Sequence, residues 1–233
     1  MELKVIYEDN NLLVVDKPAG VVVFPEKEIN EKTLIDYLLD KFPYLKNTGK
    51  PPRYGIVHRL DKDTSGILLV AKNDKTLEFL QKQFLDGKVI KKYITLAIGN
   101  LKTEKGTIET LIGRSPKDRR KQKIYLPYEP DSQGKRKAIT KYKVLQRFKD
   151  YTLVEVRPQQ GRKHQIRCHF SYLGHPIAGD KMYGFKNQPC PEGLSRQFLH
   201  ASYIKIQLPN EKIKEFHSDL PKDLSEVLEN LKS

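Results

Sequence analysis

The stretch HRLDKDTSGILLVAK, from His58 to Lys72, places ionisable and hydroxyl side chains directly before an unbroken apolar run. A carboxylate in such a cluster can act as a nucleophile or an electrostatic stabiliser in sugar chemistry, as in glycosidic bond cleavage. The plainer interpretation of Asp61 is a loop cap or a surface ion pair, both of which are common. The polar cluster comprises His58, Arg59, Asp61, Asp63, Thr64 and Ser65.

Two other classes of catalytic site find little support. Ser65, His58 and Asp61 formally supply a Ser/His/Asp set, but no GxSxG pattern surrounds Ser65, and Thr-Ser-Gly before a strand is as readily a turn. Neither GxxxxGK[ST] nor GxGxxG occurs, so nucleotide-driven catalysis is not indicated.

A second polar cluster, far along the chain, contains Arg162, Lys163 and Arg167. His164 and His169 lie within the same stretch, but a spacing of five puts them ~140° apart on a helix and on opposite faces of a strand. They are therefore poorly placed to chelate one ion, and no CxxC or HExxH pattern adds ligands. The sequence predicts no metal.

The charge balance indicates a polyanionic partner. The 233 residues carry 43 Lys and Arg against 29 Asp and Glu, a formal net charge of +14, and 38% are hydrophobic. A chain of this size can bury a sizeable core in one domain, and its charge favours nucleic acid over an anionic membrane surface.

The location is predicted from what the sequence lacks. No apolar run reaches the ~18 residues of a spanning helix, and the opening MELKVIYEDN has no signal-peptide core. Only Cys168 and Cys190 are present, which suits a reducing compartment. We expect a soluble cytoplasmic protein, with a monomer as the default.

The elements around Asp61 can be predicted from periodicity. The continuous run Ile67–Ala71 favours a strand covered on both faces, although periodicity alone also allows a short buried helix. Gly66 and the polar residues before it favour the strand, which would anchor Asp61 on a loop at the core.

Upstream and downstream of this loop, the pattern predicts strands at 5–7 and 12–15, a helix over 34–42 stopped by Pro43, and a helix through Leu77, Leu80 and Phe84 with Gly87 as its C-cap. A strand follows over 93–98, with Tyr93 on the face opposite Ile94 and Leu96.

In the last third of the chain, the pattern predicts a strand over 151–157, a helix ending at Gly174, a strand region FLHASYIKIQL and a helix from Lys222 onward. In the first of these helices, Ile166, Phe170 and Leu173 form the apolar stripe. Arg167 lies ~100° from that stripe, at the boundary of the core.

Residues 117–149 carry the strongest charge bias, with 12 Lys and Arg against three Asp and Glu. Aromatic and apolar side chains interleave with the charges, which suits a hairpin or subdomain that contacts phosphates and stacks on bases. A solvated basic face is the plainer alternative.

Five ordered segments resemble the RluA-type pseudouridine synthases, which isomerise uridine within RNA. They are VIYEDNNLLVVDKPAGVVV, HRLDKDTSGILLVAK, KKYITLAIG, GRKHQIRCHFSYLGHPIAGDKMYG and FLHASYIKIQLP. The resemblance implies an α+β fold with a central, mixed, largely antiparallel sheet, flanking helices and an RNA-binding cleft. It implies one catalytic domain over 1–233, with a basic hairpin or insertion around 113–149, in a form without the N-terminal S4 domain of many relatives.

The resemblance also implies roles for individual residues. Asp61 matches the essential aspartate, Tyr93 the active-site tyrosine under the uracil, and Arg167 the arginine that pairs with the aspartate. Arg59 matches the residue that displaces the target base. No cofactor or metal is implied, and the partner is ribosomal or transfer RNA. The further RNA-contacting positions are His58, Thr64, Arg162, His164 and Gln165.

Two departures from the family pattern, Lys163 and Cys168, lie where they should not touch the chemistry. Two rival functions stay open at this point. One is a catalytically silent RNA-binding protein or RNA chaperone on the same fold, and the other is an RNA hydrolase that uses Asp61 and His58.

Overall fold

The computed structural model describes residues 3–25 and 31–232, and within these ranges it contains ten strands and four α-helices. The strands are β1 Lys4–Glu8, β2 Leu12–Lys17, β3 Ser65–Ala71, β4 Ile90–Ile98, β5 Lys105–Arg114, β6 Gln122–Tyr125, β7 Arg136–Arg147, β8 Tyr151–Pro158, β9 Leu199–Gln207 and β10 Ile213–His217. The helices are α1 Leu34–Lys41, α2 Asp74–Leu85, α3 Gln165–Tyr172 and α4 Lys222–Asn230.

Tertiary contacts divide the chain into two compact units. The first unit comprises residues 1–90 and 201–219, and the second comprises residues 91–200 and 220–233. In the first unit the strand order is β1-β2-β3-β9, with β10 paired to β9, and in the second it is β4-β8-β7-β5-β6. The β1–β2, β2–β3, β9–β10, β4–β8, β7–β8, β5–β7 and β5–β6 pairings are antiparallel. The predicted α+β class with a largely antiparallel sheet is confirmed.

The core of the first unit is built around β3, all of whose residues are buried. Leu12 and Val14 of β2, Leu77 and Leu80 of α2, and Ile204 of β9 pack into the same cluster as Ile67 and Leu69. The continuous apolar run is therefore a strand covered on both faces, as predicted. The polar loop before it is attached to the most buried strand of the unit.

The core of the second unit lies between its strands and two helices. Leu96 of β4 and Val154 and Val156 of β8 pack with Ile166 and Phe170 of α3, and α4 adds Leu224 and Val227. Ile166 and Phe170 are two of the residues predicted to form the apolar stripe of α3. Burying each such side chain contributes about 1.5–3 kcal/mol, so the stripe holds α3 on the sheet.

The predicted helices are confirmed, with small differences at their ends. Thr33 and Asp36 form a capping box at the start of α1, and the chain continues past Pro43 as a short 3₁₀ helix. The C-cap of α2 is Asp86 rather than Gly87, and Gly87 follows with φ +69°. This is the left-handed position that favours glycine directly after a helix.

Two strands were not predicted. β5 carries Ile108, Thr110 and Ile112 as its buried, alternating positions, which is a period-two signal within KGTIETLIGR. β10 is a five-residue strand on which only Phe216 is buried, so its sequence contains too little periodicity to identify it.

We predict that Gly66→Ala strongly destabilises the protein. Gly66 has φ +113°, and a Cβ there would lie 2.3 Å from the carbonyl oxygen of Ala201. Because backbone must move as well as adopt a strained φ, we expect a loss above about 3 kcal/mol in the free energy of unfolding, measured by urea titration.

Gly87→Ala is the matched control, because Gly87 also has a positive φ but has open space at the Cβ position. It should lose only about 1 kcal/mol. Equal losses for the two variants would contradict the steric explanation.

Candidate active site

The loop that carries Asp61 is a tight turn ending at β3. The Thr64 N–H donates to the Asp61 carbonyl at 3.1 Å, which closes the turn over residues 61–64. Asp61 is half-buried, whereas Thr64 and Ser65 are buried. A carboxylate at this position has a fixed backbone and a side chain that is partly exposed to solvent.

Lys17, at the end of β2, binds the backbone of this turn. Its side chain is fully buried, and its ammonium donates to the carbonyl oxygens of Pro18 at 2.7 Å, Val21 at 2.8 Å and Lys62 at 2.9 Å. A buried ammonium needs such partners, because burial of an unsatisfied charge is very costly. The Gly20 N–H also donates to the Lys62 carbonyl at 2.9 Å. The residue after Asp61 is thereby attached to the 17–21 loop.

His58 is fixed to the core at the other end of the loop. Its ring stacks on Phe84 at 4.7 Å, and its Nε2 accepts the Leu69 N–H at 3.2 Å. A nitrogen that accepts a backbone N–H cannot serve at the same time as a base for a serine hydroxyl. Ser65 lies buried in β3. These placements argue against the Ser/His/Asp hydrolase interpretation.

Arg59 is exposed, and its guanidinium lies 5.1 Å from the centre of the Phe24 ring. Arg53 lies over the same ring at 4.7 Å. An exposed cation–π contact of this kind contributes about 0.5–1 kcal/mol.

Tyr93 lies in β4 opposite Val156 of β8. It is partly buried and packs against the core of the second unit. Tyr93 therefore packs on the core with part of its side chain, and the rest stays accessible to solvent. This agrees with the prediction that Tyr93 lies on the strand face opposite Ile94 and Leu96.

The start of α3 gathers four of the predicted site residues: Arg162, His164, Gln165 and Arg167. Gln165 is buried; its Oε1 accepts the Arg162 N–H at 3.0 Å, and its Nε2 donates to Ile139 and Thr140 of β7 at 3.1 Å. These bonds use both ends of the Gln165 amide to hold the 162–165 turn. The Arg162 Nε donates to the Lys137 carbonyl at 3.1 Å.

Arg167 and Asp180 form a buried bidentate ion pair. Nε of Arg167 lies 2.6 Å from Oδ2 and Nη2 lies 2.9 Å from Oδ1 of Asp180, which also accepts the N–H groups of Met182 and Tyr183. Burial alone would raise the pKa of Asp180, but the hydrogen bonds and charge of Arg167 and the two backbone donors hold it below its usual range. The Asp180 pair fixes the plane of the Arg167 guanidinium. The predicted pairing of Arg167 with Asp61 stays a prediction.

His164 precedes α3 in the left-handed conformation, with φ 54°. Its Nδ1 lies 2.9 Å from the Tyr183 hydroxyl, whose oxygen also accepts the Gln122 N–H at 2.7 Å. His169 lies elsewhere on α3, where its Nε2 bonds to the Thr110 hydroxyl at 3.0 Å and burial lowers its pKa to about 4. Within residues 3–25 and 31–232, no group of three His, Cys, Asp or Glu side chains is arranged to hold a metal ion.

Three residues that organise the site were not identified from the sequence: Lys17, Asp180 and Tyr183. The sequence does contain an indication for Lys17, because a lysine at the end of the apolar run LLVVDK is expected to need a partner for its charge if the strand is buried. Asp180 and Tyr183 lie in the AGDKMYG end of a motif whose earlier part held the predicted residues.

The basic segment 117–149 contains β6, β7, the connection between them and a few residues on either side. Tyr125 is buried beneath the Lys123 and Lys135 ammonium groups, and Tyr142 packs edge-on against Phe170. Tyr128 is instead 80% exposed. Of the interleaved tyrosines, it is Tyr128 that presents a ring to solvent.

The model of the RNA pseudouridylate synthase family matches residues 11–172. An uncharacterized RNA pseudouridine synthase, YlyB of Bacillus subtilis, is 40% identical over 100% of this chain and 74% of its own length. Ribosomal large subunit pseudouridine synthase D of Borreliella burgdorferi is 38% identical over 98% of this chain and 68% of its own length.

Among solved structures, human RNA pseudouridylate synthase domain containing 4 superposes with a TM-score of 0.79 at 25% identity, covering 98% of this chain and 93% of that one. The chain belongs to the RNA pseudouridylate synthase family. This confirms the resemblance and the predicted class of enzyme, an isomerase that forms pseudouridine in RNA. Within the part of the chain that the structure describes, no helix has the length and apolar character needed to cross a bilayer.

We predict that Lys17→Met lowers both stability and activity. The methionine has a similar length but leaves three carbonyl oxygens without their donor, so the free energy of unfolding should fall by about 2–4 kcal/mol. Because the Asp61 turn loses the Lys17 bond and keeps the bond from the Gly20 N–H to the Lys62 carbonyl, it is held less firmly, and kcat should fall roughly 10- to 100-fold at a temperature where the variant is folded.

The control is Lys75→Met, which changes an exposed lysine on α2. Circular dichroism melting and pseudouridine formation would be measured for both variants. Wild-type kcat in a folded Lys17→Met protein would show that the ammonium does not position the turn.

Proposed function

We propose that this chain isomerises specific uridines in ribosomal or transfer RNA, with Asp61 as the catalytic carboxylate. Ribosomal RNA is the preferred substrate, because a relative that is 38% identical is named for the large ribosomal subunit. The observation that carries the proposal is the half-buried Asp61 on a turn held by the buried Lys17 ammonium. A carboxylate fixed in this way is suited to act on a sugar carbon.

The proposed reaction breaks the N1–C1′ bond, turns the uracil, joins C5 to C1′ and transfers the C5 proton to N1 by way of the enzyme or solvent. Substrate and product are isomers, so the balance requires no oxidant, reductant or energy carrier. Positive charge develops on the sugar as the glycosidic bond weakens. Asp61 stabilises that charge, either by adding to C1′ as a nucleophile or by taking a proton from C2′ as a base.

Tyr93 and Arg167 complete the proposed catalytic set. Tyr93 would stack on the detached uracil, and its phenol would assist removal of the C5 proton. Arg167 would orient the Asp61 carboxylate through charge-assisted hydrogen bonds, a role that suits a guanidinium whose plane is already fixed by Asp180. In this proposal Asp180 is a positioning residue, because it acts through Arg167.

The RNA contacts we propose follow the exposure of the predicted residues. Arg59 is exposed and already contacts an aromatic ring, which suits a side chain that enters the stack when the target base leaves it. Arg162 and His164 are half-buried and would contact RNA directly. We propose that His58, Thr64 and Gln165 contribute to RNA contact indirectly, by fixing the conformation of their loops. The side chains of Thr64 and Gln165 are buried, and the His58 ring is bound to Phe84 and Leu69.

Substrate docking is proposed for the basic segment 117–149. Its charge would bind phosphates without reading sequence, and the exposed Tyr128 ring would stack on an unpaired base. We further propose a single catalytic domain over residues 1–233, with 113–149 as its basic insertion, that acts as a monomer in the cytoplasm. The net charge of +14 supports an RNA partner.

We predict that Asp61→Asn abolishes pseudouridine formation. Wild-type protein should release tritium from RNA labelled at uracil C5, in both ribosomal and transfer RNA pools or in one of them, without shortening the RNA. The asparagine is nearly isosteric but can neither add to C1′ nor take a proton, so release should fall at least about 1,000-fold.

Asp63→Asn, in the same turn, is the matched control and should keep activity. RNA binding by the wild type without tritium release would favour the silent binder, and shortened RNA would favour a hydrolase. Release by Asp61→Asn at the wild-type rate would remove Asp61 from the mechanism.

We predict that replacing Lys117, Arg119, Lys141 and Lys143 by glutamine weakens binding to all RNA sequences and flattens its salt dependence. Each phosphate contact that is lost should reduce the slope of log K against log salt by roughly 0.7–0.9. Filter binding at several salt concentrations measures this slope.

The control makes the same change in net charge on exposed lysines of the first unit: Lys46, Lys50, Lys75 and Lys82 to glutamine. If binding depended on net charge alone, the two quadruple variants would have equal slopes. An unchanged slope in the 117–149 variant would contradict the docking role of this segment.

A further inference from the structure

Tyr183 connects several parts of the second unit through one side chain. Its hydroxyl contacts the Gln122 N–H of β6 and the His164 Nδ1 before α3, at 2.7 and 2.9 Å. Its ring lies 5.1 Å from the guanidinium carbon of Arg167, and its own N–H donates to Asp180 at 3.0 Å. The basic segment, His164 and the Arg167–Asp180 pair therefore meet at Tyr183.

The hydrogen bonds at the Tyr183 hydroxyl determine which nitrogen of His164 carries the proton. The backbone N–H of Gln122 can only donate, so the phenol oxygen accepts that bond. The phenol proton needs an acceptor, and of these two partners only His164 Nδ1 can accept it, so Tyr183 donates to His164 Nδ1. A neutral imidazole that accepts at Nδ1 carries its proton on Nε2.

The connection to β6 is reinforced by a second contact. The Cys168 thiol of α3 donates to the Gln122 carbonyl at 3.6 Å, so both the N–H and the carbonyl of Gln122 are bound beside the site. Burial raises the pKa of this thiol to about 12, which keeps the Cys168 proton available for donation. The first residue of β6 is thus fixed relative to His164 and Tyr183.

We propose that Tyr183 is a positioning residue for RNA recognition: it fixes His164 in the Nε2–H tautomer, so that His164 donates a hydrogen bond to an oxygen acceptor of the RNA. The acceptor is a phosphate or a base carbonyl oxygen, since RNA offers both. Through Gln122, Tyr183 also ties the basic segment to this donor. This inference rests on the proposed function, because it assigns a substrate contact to the same site.

The first test is Tyr183→Phe, which removes the hydroxyl and keeps the ring over Arg167. On unmodified large-subunit ribosomal RNA transcribed in vitro with uracil C5 tritium, kcat/KM should fall about tenfold, as expected for a recognition bond of about 1.4 kcal/mol. Tyr172→Phe, which changes an exposed tyrosine of α3, is the control and should leave kcat/KM unchanged.

The second test distinguishes positioning from a structural role. His164→Asn removes the imidazole, and asparagine tolerates the left-handed backbone at this position. In the His164→Asn protein, adding Tyr183→Phe should change kcat/KM by less than about twofold, because the group through which Tyr183 acts is already absent. If the two losses instead multiply in full, Tyr183 does not act through His164, and the proposal is wrong.

The third test observes the tautomer in the wild-type protein, so it does not depend on whether a variant folds. In ¹⁵N-histidine NMR, the His164 resonances, assigned by their loss in His164→Asn, should show a protonated Nε2 and an unprotonated Nδ1. A protonated Nδ1 would overturn the proposal. Wild-type tritium release together with unchanged kcat/KM in Tyr183→Phe would refute this inference alone, whereas absence of release from the wild type would refute the proposed function.

Discussion

A charge that is buried in a protein must be bound by groups of opposite polarity, and this constraint shapes the surroundings of two candidate catalytic residues, Asp61 and Arg167. In the first unit, the Lys17 ammonium is satisfied by three carbonyl oxygens, one of which belongs to the residue after Asp61. In the second unit, Asp180 is satisfied by the Arg167 guanidinium and two backbone N–H groups. Loosening the Asp61 turn or the contacts of Asp180 would remove partners from a buried charge, so the cost of charge burial keeps both segments rigid.

This rigidity matters because the reaction draws on no cofactor chemistry in the proposed mechanism. A carboxylate, a phenol and a guanidinium are ordinary groups, and their effect depends on being held where charge develops. The helix α3 illustrates how the fold supplies this: Ile166 and Phe170 bury one face in the core, which leaves Arg167, between them in sequence, directed to Asp180. The helical period therefore places Ile166 and Phe170 on the face that packs in the core and Arg167 on the face that meets Asp180.

The helices and strands with strong periodicity could be predicted from the sequence, but the tertiary contacts that the site residues make could not. The run Ile67–Ala71 identified a doubly covered strand, and the spacing of Leu77 and Leu80 identified α2. Asp180 gave no such signal, because its importance comes from a contact with Arg167 that only the tertiary fold creates. Gln165 shows the limit from the other direction: its motif position predicts an RNA contact, which stays a prediction, while burial and three protein hydrogen bonds give its side chain a structural task that the motif did not indicate. A motif identifies which residues matter, but burial decides whether each can reach the substrate.

The backbone at His164 shows how local cost and function are connected. A left-handed conformation costs a residue with a Cβ about 1–2 kcal/mol, yet His164 adopts φ 54° directly before α3. Gln165 binds the Arg162 N–H on one side of this residue, and Tyr183 binds its ring on the other. Contacts from two neighbouring segments therefore maintain a conformation that the residue would not adopt alone. Strain of this kind persists only where the surrounding structure maintains it. Here the strained backbone directs the His164 imidazole toward Tyr183, whose hydroxyl also binds Gln122 of the basic segment.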